Sequence, residues 1–116
     1  MPLIYWMNFK IDALPEFEKE LKKLSKKYAS LKSDYQNLLE NLIENPQQGT
    51  PLGKNLYKIR MPIASKGQGK SGGARVITCV KIIKEKIFLV AIYDKSEMEV
   101  ISEKELSERL KSIVEV

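Results

Sequence analysis

The feature that most constrains this chain is a change of hydrophobic period partway along it. Leu14, Phe17, Leu21, Leu24 and Tyr28 recur at spacings of three and four, and Leu31, Tyr35, Leu38, Leu39, Leu42 and Ile43 repeat the pattern. Such spacing gathers apolar side chains on one stripe of a helix. From Leu56 onward the apolar residues come instead in short, β-branched runs, Leu56 to Ile63, Ala74 to Ile83 and Lys86 to Tyr93, which is the pattern of strands. Helices and sheet must bury these surfaces against one another, so the chain reads as an α+β domain.

Local signals set the boundaries. Pro15 suits a first helical position, where its missing N–H has no partner to lose. Glu16, Glu18 and Glu20 then precede Lys22, Lys23, Lys26 and Lys27, the order that the helix macrodipole favours. A second helix opens after the Ser30 to Asp34 capping region and stops at Asn45-Pro46. The short connection predicts an antiparallel helical hairpin. Gln47 to Asn55, with Gly49, Pro51 and Gly53, reads as a loop. A turn at Lys84-Glu85 joins the last two strands, and Ala64 to Gly73 forms a glycine-rich, basic tip between the first two. Ser102 to Glu105 opens a last helix with Leu106, Leu110 and Ile113 or Val114 as its stripe. Leu3 to Phe9 reads as a first strand, with Trp6 in the core or at an interface, because it lacks the basic flank and cleavage site of a signal peptide. The expected order is β-α-α-β-β-β-α: a mainly antiparallel four-stranded sheet with helices packed on one face. At 116 residues, 43% hydrophobic and 30% charged, it forms a single domain over 1–116.

Composition removes several classes of chemistry. The chain has no histidine, which excludes Ser–His and Cys–His nucleophilic machinery and, with a single cysteine, leaves little to hold a metal. No cofactor is expected. Cys79 sits in a Val/Ile-rich run as a small buried hydrophobe, and no segment reaches the roughly 20 apolar residues of a membrane span; both point to the cytoplasm and away from a membrane. Ala64 to Ser71 fits a relaxed phosphate-loop pattern, but it leads into the β-branched run Arg75-Val76-Ile77-Thr78 rather than a helix, so nucleotide hydrolysis fails on context.

What remains is cationic. Ten basic residues lie between Lys54 and Lys95 against two acids, a net +8, whereas the rest of the chain holds ten against thirteen, a net −3. Strand alternation projects Lys58 and Arg60 together, opposite Tyr57, Ile59 and Met61, which enter the core. A neighbouring strand brings Arg75 beside them, at a strand start where its guanidinium reaches the open face. In RNA cleavage a 2′-hydroxyl attacks the adjacent phosphate, and fixed cations stabilise the growing negative charge. A lysine held among other cations has its pKa pushed down and can take a proton. Plain binding to a phosphate backbone accounts for the same residues equally well.

Three stretches, Leu56-Tyr57-Lys58-Ile59-Arg60, Gly69-Lys70-Ser71-Gly72-Gly73-Ala74-Arg75-Val76-Ile77 and Ile92-Tyr93-Asp94-Lys95-Ser96-Glu97, resemble the RelE/HigB toxin family in order and spacing. The Phe17 to Tyr28 helix and the Asn45-Pro46-x-x-Gly49 stop are similar too, so the resemblance spans nearly the whole chain. It implies the toxin of a toxin–antitoxin pair, a metal-independent, ribosome-dependent mRNA endonuclease that inhibits translation. Catalytic roles carry over to Lys58, Arg60, Arg75 and Lys95, and RNA or ribosome binding to Lys54, Lys66, Lys70 and Tyr93. Glu97 either orients Lys95 or is a solvated charge. Some members carry a tyrosine near the C-terminus where this chain has Ile101, which leaves the acid and base unassigned. The implied partners are a cognate antitoxin of helix-turn-helix type, mRNA and the ribosome, with operator DNA reached only through the antitoxin. Two other functions stay open: a ParE-like toxin that inhibits DNA gyrase without nuclease activity, and a nucleic-acid-binding module.

Overall fold

The computed structural model describes residues 9–67, 69, 72–98 and 100–113. The strand expected over Leu3 to Phe9, with Trp6, therefore lies outside the described residues except for Phe9. The first strand described is β1, Lys10–Ala13, followed by helices α1 (Pro15–Lys27) and α2 (Leu31–Glu44). Pro15 occupies the first turn of α1. Strands β2 (Thr50–Gly53), β3 (Leu56–Met61), β4 (Ala74–Lys81) and β5 (Lys86–Asp94) follow, with a one-turn 3-10 helix at Ala64–Lys66, and α3 (Glu103–Leu110) closes the order. Ser102 caps α3 by accepting a bond from the Glu105 amide at 3.1 Å, the capping arrangement its sequence signals.

The α+β class and the antiparallel majority hold, while among the described residues the sheet has five strands, not four, in the order β1-β5-β4-β3-β2. The additional strand is β2, in the segment read as a loop. Pro51 cannot donate to a ladder, which confines this strand to the sheet's edge. It pairs with β3 through a two-residue turn in which Lys54 and Asn55 both have positive φ, 55° and 67°, as a tight hairpin turn requires. β1 is the parallel member, running beside the first half of β5 from Lys10↔Lys86 to Ala13↔Leu89.

The helices divide between the two sheet faces, which corrects the expectation of a single helical face. On one side Phe17 and Leu24 of α1 and Leu31, Leu38 and Leu42 of α2 pack on Ile59, Met61, Val76, Val80, Leu89 and Ile92. Phe17 and Tyr35 meet across the helix pair with ring centroids 5.9 Å apart. On the other side Leu106 of α3 packs on Leu56, Ile77, Cys79, Val90, Ala91 and Tyr93. A β-bulge sits opposite Ile77: Ala91 pairs with Ile77 and Leu89 with Thr78, leaving Val90 as the extra residue. The bulge turns both Val90 and Ala91 toward α3.

Past Ala13, no strand among the described residues covers the outer side of β5, and two side chains bond to its backbone there. Arg109 of α3 donates to the Val90 carbonyl at 2.9 Å, and Glu20 of α1 accepts from the Ile92 amide at 3.2 Å. Arg109 also grips Glu20 through both terminal nitrogens, at 2.9 and 2.7 Å. This bidentate pair joins helices on opposite faces around the sheet edge and satisfies backbone groups that would otherwise be stranded. The loop between β3 and β4 closes tightly at Gly73, where a Cβ would lie 2.2 Å from the Met61 carbonyl oxygen. Only glycine fits there.

Candidate functional site

Pairing register builds the site. Leu56, Lys58 and Arg60 share the face of β3 that looks toward α3, opposite Ile59 and Met61 in the helix-hairpin core. Arg60 lies directly across from Arg75, and Arg75 directly across from Tyr93; Lys58 faces Ile77 two pairs further along. The register thus sets two arginines opposite each other on neighbouring strands, which concentrates positive charge on this face.

The four side chains differ in access. Arg60 is exposed and Lys58 half-buried, whereas Arg75 is 5% exposed and Tyr93 6%. The expectation that Arg75 reaches an open face is thus corrected. Its guanidinium is tucked against the sheet, where Nη1 donates to the Ala74 carbonyl at 3.3 Å. Burial pushes the Tyr93 phenol above its ordinary pKa, a shift that the nearby Ile101 backbone and the Arg75 charge offset only in part. Its hydroxyl lies by Ile101 but outside ordinary hydrogen-bond geometry. A groove of about 450 Å³ opens beside these residues, with Lys54 and Lys58 at its rim and Leu56, Ile77, Tyr93 and Leu106 within it.

The remaining expected site residues are dispersed. Lys95 lies one residue past β5, its amide bonded to the Gly73 carbonyl at 3.1 Å, two positions from Tyr93. Lys70 lies outside the described residues. Lys66 turns to the opposite side of the sheet, where its ammonium contacts Asp94 at 2.9 Å. Asp94 is 1% exposed and also accepts from the Tyr28 hydroxyl, the Ser96 hydroxyl at 2.7 Å and the Ser96 amide at 2.9 Å. Burial alone would raise its pKa, but bonds from Tyr28, Lys66 and Ser96 prevail and hold the carboxyl well below the usual carboxylate range. Glu97 pairs with Lys27 of α1 at 2.6 Å. The Asp94-x-Ser96-Glu97 part of the sequence motif thus ties β5 to the end of α1 and to the turn at Lys66.

Sequence reasoning missed Asp94, Glu20 and Arg109 as organising residues. Their signal was positional. Glu20 borders the apolar stripe of α1, and Arg109 falls three residues after Leu106, beside Leu110, on the buried side of α3.

Among the described residues no helix is long and apolar enough to cross a membrane. The structure is similar to that of a double arginine-to-alanine variant of the E. coli toxin RelE in the free state, with a TM-score of 0.58 and 21% identity over 93% of this chain and 100% of that one. That likeness is one of fold. The model of the family described as the RelE toxin of the RelE/RelB toxin–antitoxin system matches residues 10–115. With nearly the whole chain inside that match, the chain belongs to the RelE toxin family, and it is the toxin of a toxin–antitoxin pair whose partner is a cognate antitoxin.

Proposed function

We propose that this toxin is a ribosome-dependent endonuclease that cuts mRNA in the cytoplasm without a metal, and that a helix-turn-helix antitoxin silences it by covering the cationic face and carries it to operator DNA. The observation behind this proposal is the row Arg60, Arg75 and Tyr93 across β3, β4 and β5, with Lys58 on the same face. Cleavage proceeds by attack of a 2′-oxygen on the adjacent phosphorus and departure of the 5′-oxygen, giving a cyclic phosphate and a 5′-hydroxyl. Negative charge gathers on the non-bridging oxygens, where the exposed Arg60 offers a planar donor fork suited to phosphate and the buried Arg75 adds its charge from beneath. Cations fixed before the reaction stabilise that charge with little reorganisation. Tyr93, whose hydroxyl is buried, closes the row with its ring, in an RNA-binding rather than a proton-transfer role. Lys58, on the same face, and Lys95 join the two arginines as catalytic cations, while Lys54 at the groove rim and Lys70 draw the message in.

A toxin directed at DNA gyrase has no use for opposed arginines beside a phenol. The test is expression of the toxin without its antitoxin while amino-acid incorporation and chromosomal DNA are both followed. Translation should stop with DNA intact. Continued translation with accumulating DNA breaks would replace this proposal with the gyrase one.

A further inference from the structure

A second groove, about 390 Å³, runs between α2 and the end of β3, bordered by Asn37, Glu40, Asn41, Gln48 and Arg60. β2 stops pairing at Thr50↔Lys58, so the last residues of β3 form a sheet edge. The ladder's alternation is fixed by the Val80 amide, which donates to the Asn55 carbonyl. In register, Tyr57, Ile59 and Met61 turn their backbone groups toward β4, and Arg60 turns its amide and carbonyl outward. Asn37 and Asn41 are exposed one helical turn apart on α2, so they share one face. Arg60 is common to this groove and the cationic face: its backbone forms the edge, and its side chain joins Lys58 and Arg75.

We propose that this groove seats an unpaired nucleobase of the substrate RNA, next to the phosphate held on the other side of Arg60, and reads its edge by hydrogen bonds. The inference rests on the nuclease proposal and adds where sequence preference arises. Carboxamides present a donor and an acceptor side by side, which matches the paired donors and acceptors on a base edge. A phosphate does not suit the groove, because Asp34 and Glu40 line it along with Arg60. An added peptide strand does not suit it either, because Pro62 follows β3 without an N–H, and Arg60 alone offers outward ladder groups.

The experiment uses short single-stranded RNAs whose attacking 2′-hydroxyl is removed, in four versions that differ in the base beside the blocked phosphate. Their binding to the wild-type toxin and to N37A/N41A is read by fluorescence anisotropy, and cleavage of the unblocked RNAs on ribosomes is followed in parallel. Alanine at two exposed helical positions favours the helix, so the double variant folds. The wild type should prefer one base by about tenfold or more, and the double variant should lose that preference. A wild type without preference, or a double variant that keeps it, overturns the inference. So does a double variant that loses antitoxin affinity while its base preference is unchanged. Base preference that depends on Asn37 and Asn41 in a protein that cleaves nothing supports the groove and defeats the nuclease proposal instead.

Discussion

Replacing Asp94 with asparagine keeps the shape of a fully buried side chain and removes the charge that holds three elements together. The Asp94 side chain is 0% exposed and that of its partner Lys66 10%, so D94N leaves an ammonium in a poorly solvated place without its counter-charge. Removing one member of a buried pair costs about 3 to 5 kcal/mol. The flexible lysine stem can carry its charge toward water, which places the cost near the lower end, roughly 3 kcal/mol. For a chain of this size that lowers the melting temperature by about 12 °C. The double variant D94N/K66M should lose less than the sum of the single variants, because neither then strands a charge. The pH dependence has a definite sign. With its carboxyl pKa held below the usual range, Asp94 contributes stability that is fully present above its unfolded value, about 3.9, and is lost as pH falls toward the folded one. Wild-type stability should therefore decline below about pH 4, and D94N should decline less there. Thermal and urea unfolding of the four proteins at pH 7 and below pH 4 gives the answer. A loss under about 1 kcal/mol in D94N, or strict additivity, would show that the cluster is not the clamp described.

Three further outcomes follow from the same geometry. Arg109→Met strands Glu20 and the Val90 carbonyl together, so unfolding should become easier by about 2 to 4 kcal/mol, and equal stability in a urea titration would remove the edge plug. Gly73→Ala should cost several kcal/mol, because the new Cβ at 2.2 Å from the Met61 oxygen forces backbone to move; a melting temperature within about 2 °C of wild type would contradict that contact. Tyr93→Phe keeps the ring and removes a buried hydroxyl that lacks ordinary hydrogen-bond geometry, so stability should stay within about 1 kcal/mol and single-turnover cleavage within about threefold of wild type; a loss of about tenfold or more would show that the hydroxyl reaches the RNA.

Much of the fold was legible because it depends on local patterns. The three-and-four spacing from Leu14 to Ile43, Pro15 and Asn45-Pro46 located α1 and α2 within a residue or two, and Ser102 the start of α3, which ends at Leu110, short of the Ile113 or Val114 expected on its stripe. The alternation of β3 assigned Lys58 and Arg60 to one face without any structure. The edge strand β2 was hidden because Gly49, Pro51 and Gly53 carry loop chemistry, and its pairing depends on the neighbouring β3 rather than on its own residues. The placement of α3 on the second face was hidden for a different reason: Val90 and Ala91 face it together only because of the bulge, and no period-two pattern reports a bulge. Polar organisation was least legible. Lys66 looked like one more lysine in a basic tip, but its partner is Asp94, 28 residues away, and Glu20 meets Arg109 across 89 residues. Arg75 was found by motif and strand position, yet its burial depends on what packs over the strand.

That burial decides which residue tests the central claim best. Arg75→Ala removes packing and charge together, whereas Arg60 is exposed, and its substitution leaves the core untouched. The decisive measurement is single-turnover cleavage of a ribosome-bound message by wild type and Arg60→Ala, with melting curves for both. Wild type should cut, and Arg60→Ala should keep its melting temperature while losing about a hundred- to a thousandfold in rate, the usual effect of removing one preorganised charge from a transition state. Equal rates in the two proteins, or no cleavage by wild type, would contradict the account.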